Sequence, residues 1–179
     1  MKRCIVLYRS KYGATKRYAQ WLSEALACRC EDVKNVRPQE LDSYDTILLG
    51  GAIYASGISG ISFLKKNFAK LPGKKWIVFC AGASPYDETA FAEVRRHNLG
   101  GAWESVPCFY CRGAWDESAM SLKDRTLCRM LQKAIAGKDP SEYEPWMTAL
   151  MAAKGQACDW TDQKYLEPVL AAVREENGE

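Results

Sequence analysis

Ser10-Lys11-Tyr12-Gly13-Ala14-Thr15 follows the first apolar run of the chain, Cys4 to Tyr8, and leads at once into a segment with apolar residues at Tyr18, Leu22, Ala25 and Leu26. The run reads as a buried strand, and the spacing behind it as one face of a helix. Strand, turn and helix thus follow without a gap. A helix N-terminus carries unpaired N–H groups and partial positive charge, so a turn feeding it forms a cradle for an anion. Ser10 and Thr15 add hydroxyl donors. An ordinary turn capped by Ser or Thr uses the same residue types, and the surrounding chain has to separate the two readings. Two other phosphate loops are excluded, because neither Gly-x-x-x-x-Gly-Lys-Ser/Thr nor Gly-x-Gly-x-x-Gly is present.

Four further strands are predicted, at Glu31 to Val33, Thr46 to Leu49, Trp76 to Cys80 and Val106 to Cys111. Three of the five strands are near-continuous apolar runs, the pattern of parallel strands covered on both faces. Helical spacing falls between most of them: Ile61, Leu64, Phe68 and Leu71 mark one helix, and Asp87 caps another that buries Ala90, Phe91 and Val94. The connection Lys34 to Asp42 holds Pro38 and is too short for much helix. This alternation predicts an α/β fold, a doubly wound five-stranded parallel sheet of order 2-1-3-4-5 in one domain over residues 1–179. Ligands bind such sheets where strands 1 and 3 diverge. The loops that face that point are Gly50-Gly51-Ala52-Ile53-Tyr54-Ala55-Ser56-Gly57 and Ala81-Gly82-Ala83-Ser84-Pro85-Tyr86. Small residues let backbone approach a flat ligand, and a tyrosine can stack on it. Tyr54 is the first candidate for stacking and Tyr86 the second. A phosphoryl-accepting domain of the same order would need carboxylates after strands 1 and 3, where the chain has Arg9-Ser10 and Gly50-Gly51.

Composition narrows the function further. The net charge is only +3, with 25 basic residues dispersed among 22 acidic ones, so no nucleic-acid footprint exists. Met1-Lys2-Arg3 is basic, but the apolar run behind it is too short for a secretion signal, and no segment could cross a bilayer. A cytoplasmic protein is expected. Eight cysteines invite a metal or disulfide reading. Cys108 and Cys111, however, lie three apart on a strand and point to opposite faces, and no second pair matches them. Free thiols and no metal site are expected. His97, the only histidine, stands among Arg95, Arg96 and Asn98 and is read as solvated. No catalytic acid or base is assigned.

Ser10 to Thr15 resembles the FMN-phosphate loop of the flavodoxin-like superfamily, Thr/Ser-x-Thr/Tyr-Gly-x-Thr, at every defined position. Leu41-Asp42-Ser43-Tyr44-Asp45 and Gly50-Gly51-Ala52-Ile53-Tyr54 are also similar to that family, over roughly residues 1–113. Within it the chain resembles the flavodoxin-domain proteins typified by bacterial protoporphyrinogen dehydrogenase, including Cys158-Asp159-Trp160-Thr161-Asp162. The resemblance implies FMN as cofactor. Ser10, Lys11, Tyr12, Gly13, Ala14 and Thr15 would hold its phosphate. Ala52, Ile53, Tyr54, Ala55, Ser56 and Gly57, with Ala81, Gly82, Ala83, Ser84 and Tyr86, would enclose its ring. It implies an oxidoreductase passing electrons from a porphyrinogen or another reduced organic compound to a quinone, with peripheral membrane contact. The alternative is an electron-transfer flavodoxin or regulatory module acting through a redox protein partner. Electron-carrier flavodoxins are strongly acidic, whereas this chain is slightly basic, which implies a less reducing flavin.

The segment 112–160 far exceeds an ordinary connection between a strand and a helix. Ser121-x-x-Asp124 opens a helix with Leu127, Leu131, Ala134 and Ile135 on one face, and Gly137 ends it. Asp139-Pro140 opens a second, with Trp146, Leu150 and Ala153 inward and Gly155 as its stop. Stripes at this spacing usually complete a core. Basic and acidic residues balance across the insert, which gives no support to attachment on anionic lipid. Trp103, Trp115 and Met120 are candidates for a substrate face, or for simple packing. The final helix carries Tyr165, Leu166, Val169, Leu170 and Val173, and a start near Leu166 places Pro168 harmlessly in its first turn.

Overall fold

A computed structural model describes residues 3–174, and Met1 and Lys2 lie outside them. In chain order the elements are β1 (Cys4–Arg9), α1 (Ala14–Ala25), β2 (Arg29–Asp32), β3 (Thr46–Tyr54), β4 (Gly57–Ile58), α2 (Ile61–Asn67), β5 (Lys75–Gly82), α3 (Glu88–Leu99), β6 (Cys108–Arg112), β7 (Ala114–Asp116), α4 (Leu122–Ala136), α5 (Pro145–Ala152), β8 (Ala157–Asp159) and α6 (Glu167–Arg174). The parallel strands run in the order β2-β1-β3-β5-β6. This is the predicted 2-1-3-4-5 topology once the short β4 is counted. Pro38 sits in a 3-10 turn rather than a helix, as the short connection required.

Both faces of the sheet are buried because alternate side chains of each central strand point to opposite sides. Ile5, Leu7, Ile47, Leu49, Val78 and Cys80 form one core with Leu64 of α2 and Val94 of α3. Val6, Leu48, Ile77 and Phe79 form the other with Tyr18, Ala19 and Leu22 of α1 and Val169 and Val173 of α6. Cys108 joins the first core and Cys111 the second, the opposite-face placement expected of residues three apart. All eight cysteines are free thiols. Pro168 is the second residue of α6, where its missing N–H costs no helical bond.

Several expectations need correction. Ala25 and Ala90 are exposed, and Ala19 takes the buried place on α1. β3 runs on through Ala52, Ile53 and Tyr54, which were expected in a loop, and folds back antiparallel onto β4 through Ala55-Ser56. β5 likewise includes Ala81 and Gly82. Asp139-Pro140 opens only one 3-10 turn, and α5 starts at Pro145. The insert is closed at its base by the antiparallel pair β7–β8, with Trp160 N–H donating to Gly113 O at 3.0 Å.

Helix α4 departs most from its sequence pattern. Its packed side is Asp124, Arg125, Cys128, Gln132 and Ile135, while Leu127, Leu131 and Ala134 face outward. Polar chemistry selects that side. Arg125 donates to the carbonyls of Glu117, Ser118 and Met120, and buried Gln132 donates to the Glu117 carboxylate at 2.8 Å. The even charge balance of the insert is also sorted by folding. Every charged side chain on the exposed face of α4, namely Lys123, Arg129 and Lys133, is a cation.

Candidate functional site

The carboxyl end of β1 delivers the chain into the turn 10–13, and α1 begins at Ala14. Gly13 has φ +100°, a conformation L side chains avoid, so the glycine is required for the reversal into the helix. Ser10 Oγ accepts the Gly13 N–H at 3.1 Å, which tightens the turn and leaves the hydroxyl proton available to an outside acceptor. The N–H groups of the first turn of α1 have no intrahelical acceptor. Thr15 lies among them, 1 % exposed, and its Oγ1 has no hydrogen-bond partner among the described residues. A buried, unpaired hydroxyl is costly in a folded protein and marks a donor waiting for an acceptor. These groups fit a phosphate.

Lys11 and Tyr12 were expected to hold the same anion, but their side chains are engaged elsewhere. The Lys11 ammonium and the Tyr12 hydroxyl both contact the Asp124 carboxylate at the start of α4, and Tyr12 accepts the Ser121 N–H at 3.1 Å. These contacts hold Asp124 below the usual carboxylate range, with Lys11 the larger cause, and hold Lys11 above the usual ammonium range. The insert is therefore fastened to the cradle. The Asp124 carboxylate offsets the Lys11 charge that an anion at the turn would otherwise meet. Asp124 was legible as a helix-capping residue, and no sequence signal paired it with residues more than a hundred positions away.

The second side of the site is the β3–β4 hairpin. Tyr54 stands at its tip, 42 % exposed. Burial, chiefly, pushes its phenol up to about 12, and Tyr12, Lys11 and Asp124 are near enough to act on it electrostatically. The turn residues Ala55 and Ser56 have φ +44° and +65°, unusual for non-glycine residues. Buried Asn98 of α3 holds them: its side chain accepts from Ile58 N at 2.8 Å and donates to Ser56 O at 2.6 Å and Val94 O at 2.8 Å. In the sequence Asn98 stands in a polar stretch beside His97, with no local signal for this role. His97 itself is exposed, in line with its solvated reading.

Loop 83–86 forms the third side. Tyr110 donates its hydroxyl proton to Ser84 O, and a Cβ on Gly82 would lie 2.8 Å from that hydroxyl. Tyr86 is 58 % exposed, but its ring packs on Phe91 and Tyr110 with centroids 5.8 Å away in each case. Tyr54 is the less exposed of the two candidate stacking rings, but among the described residues no other ring packs on it. Cradle, hairpin and loop all stand at the carboxyl ends of β1, β3 and β5, the ligand-binding edge of a doubly wound sheet.

The cations at this edge are mostly neutralised. Arg9 lies 3.9 Å from Asp32, Lys11 pairs with Asp124, and Arg17 pairs with Asp159. Arg112, at the end of β6, is the cation of this edge that no carboxylate neutralises among the described residues. No cluster of three or more metal-ligating side chains exists among the described residues, and no helix there is long and apolar enough to cross a membrane.

Solved structures with similar folds include a flavodoxin from the domain Archaea (19 % identity, 72 % of this chain and 92 % of that one, TM-score 0.45). A WrbA-like flavodoxin protein from Agrobacterium tumefaciens is 20 % identical over 86 % of this chain and 98 % of its own, with a TM-score of 0.45. Oxidised flavodoxin 1 from Bacillus cereus is 18 % identical over 72 % and 93 %, with a TM-score of 0.40. No curated protein matches the chain significantly. A family model for the flavodoxin domain matches residues 5–142, which span the cradle, the hairpin, loop 83–86 and α4, and the chain belongs to the flavodoxin domain family.

Proposed function

We propose that the chain binds FMN and acts as an oxidoreductase, taking electrons from protoporphyrinogen or another reduced organic compound and delivering them to a quinone. The observation that carries the FMN reading is Thr15, a buried hydroxyl with no partner in the first turn of α1. Bound FMN would supply the electron and hydride chemistry. Thr15, Ser10 and the free N–H groups of α1 hold the phosphate. Hairpin residues Ala52 to Gly57 and loop residues Ala81 to Ser84 with Tyr86 enclose the ring and exclude water, and Asn98 keeps the hairpin in place. Tyr54 is an uncharged phenol at physiological pH, as any tyrosine of ordinary pKa is, and burial moves its ionisation further from that range. No side chain is assigned as a catalytic acid or base.

The acceptor side of the reading rests on α4. Leu122, Leu127, Met130 and Leu131 are 43 to 80 % exposed, and the charges beside them are Lys123, Arg129 and Lys133. An apolar stripe bordered by cations suits the interface of an anionic bilayer. We place the protein's work at the cytoplasmic surface of such a membrane, where quinones dissolve. The same face would receive an acidic redox protein if the chain is an electron carrier instead.

The visible spectrum of the purified protein, with chromatography of any released flavin, tests the first step. Two flavin bands and recovered FMN are expected; a colourless protein that also ignores added FMN would remove the function and leave the fold. Anaerobic turnover of protoporphyrinogen with a menaquinone analogue tests the second. Stable one-electron cycling without turnover would favour the carrier.

A further inference from the structure

Arg112 is the last residue of β6, in register with Gly82 of β5, and so emerges at the ligand-binding edge of the sheet. Its guanidinium lies over the Trp160 ring, 4.3 Å from the centroid. Its Nε is buried without an acceptor, and among the described residues no carboxylate pairs with it. Carboxylates of the insert and of the segment behind it are engaged elsewhere: Asp159 by Arg17, Asp162 by Lys164, Glu117 by Gln132 and Glu144 by the Trp146 indole N–H. Leaving a half-buried cation without a counterion is unfavourable, and a fixed guanidinium is the group best shaped to take a carboxylate in two parallel bonds.

Arg112 lines a cavity of about 650 Å³ between the sheet edge and the insert. Pro85, Pro145, Ala149, Ala152 and Trp160 give it apolar walls, to which Thr148 and Gln156 add polar side chains. Tyr143, also in the lining, already spends its hydroxyl proton on Ile135 O. One unpaired cation among largely apolar walls suits a monoanion with a flat hydrocarbon body, for which Thr148 and Gln156 offer only neutral hydrogen bonds, and a phosphate dianion would leave its second charge without a cation. The cavity includes no residue of the 10–15 cradle or the 52–57 hairpin, yet Pro85 belongs to loop 83–86, one side of the candidate flavin site.

We infer that this cavity is a second ligand site, taking an aromatic or otherwise planar carboxylate with its carboxylate on Arg112 and its body between α5 and Trp160. The stack on Trp160 holds the guanidinium in one orientation before the ligand arrives, so less freedom is lost on binding. The inference does not rest on the flavin reading, because binding can be measured with and without added FMN.

Calorimetric titration of the full chain with 1-naphthoate, against its neutral analogue 1-naphthalenemethanol, tests it. One-to-one binding of the naphthoate is expected, with the alcohol at least about tenfold weaker. Arg112→Gln should lose at least about tenfold in naphthoate affinity. Ala152→Trp, an exposed lining position, should lose a similar factor while Arg112 stays in place. That second variant keeps the test decisive if Arg112→Gln fails to fold. Absence of saturable binding, equal binding of acid and alcohol, or unchanged affinity in a folded variant would overturn the site. Displacement of naphthoate by equimolar inorganic phosphate would overturn the carboxylate class. Loss of naphthoate binding on saturation with FMN would make the cavity part of the flavin site and overturn its independence.

Discussion

The Ser121 N–H donates to the phenol oxygen of Tyr12 at 3.1 Å, so a residue of the turn between β1 and α1 caps the first helix of the insert. In a capping box the residue at Asp124 would return to that N–H. Here Tyr12 takes its place, and the Asp124 carboxylate is released to bind Lys11 and Tyr12. Ser121 Oγ still accepts from Asp124 N at 3.3 Å. Cradle and insert are thereby one mechanical unit. Tyr12→Phe removes the cap acceptor and should cost about 1 kcal/mol. Faster hydrogen exchange confined to the start of α4 would check it, and unchanged exchange there would refute the coupling.

The same contact sets a pH dependence. Asp124 has its pKa lowered in the folded state, so its stabilising contribution is complete above the ordinary aspartate value of 3.8 and is lost as pH falls through the lowered one. Lys11 has its pKa raised from 10.5, so its contribution is complete below that value and is lost as pH rises through the raised one. Insert docking should hold across the neutral range and loosen at both ends. Asp124→Asn should flatten the acid side of a plot of thermal midpoint against pH; an unaltered acid slope would count against this assignment.

Thr15→Val separates a phosphate site from a simple capped turn. Without ligand, the substitution removes an unpaired buried hydroxyl and should leave stability unchanged or raised. With FMN, it should cost on the order of 1 to 3 kcal/mol of binding, and Ser10→Ala a similar amount. Fluorescence titration with FMN measures both, and unchanged affinity would contradict the phosphate assignment.

Asn98→Ala leaves Ile58 N–H and Ser56 O without their buried partner, at about 1 to 3 kcal/mol per unsatisfied group. The variant should lower the denaturation midpoint and weaken FMN binding, although Asn98 belongs to α3 rather than to the hairpin proposed to enclose the ring. A large stability loss with unchanged FMN affinity would show that the hairpin is no part of the site.

Replacing Leu127 and Met130 with Asp puts two charges on positions that are 55 % and 64 % exposed, so folding should be unaffected. Co-sedimentation with phosphatidylglycerol vesicles should be strong for the parent chain, weaken with added salt, and disappear in the double variant. Equal sedimentation of the two proteins would exclude α4 as the membrane face.

Strand order, the two-faced core, the turn between β1 and α1 and the length of the insert were all legible in the sequence. They follow from apolar runs, helical spacing and one local motif, which act over a few residues at a time. The Ala55-Ser56 turn was not, because its positive φ angles lack the usual Asn-Gly signal and are imposed by Asn98, more than forty residues away. The orientation of α4 was misleading for a related reason. Hydrophobic spacing predicts which residues share a face, but which face turns inward was decided by the partners available to Arg125, Gln132 and Asp124. Tertiary structure alone paired off Arg9, Lys11 and Arg17 and left Arg112 without a counterion. Charge counts along a chain are independent of where the chain brings opposite charges together, and that placement decides which cation is free to meet a ligand.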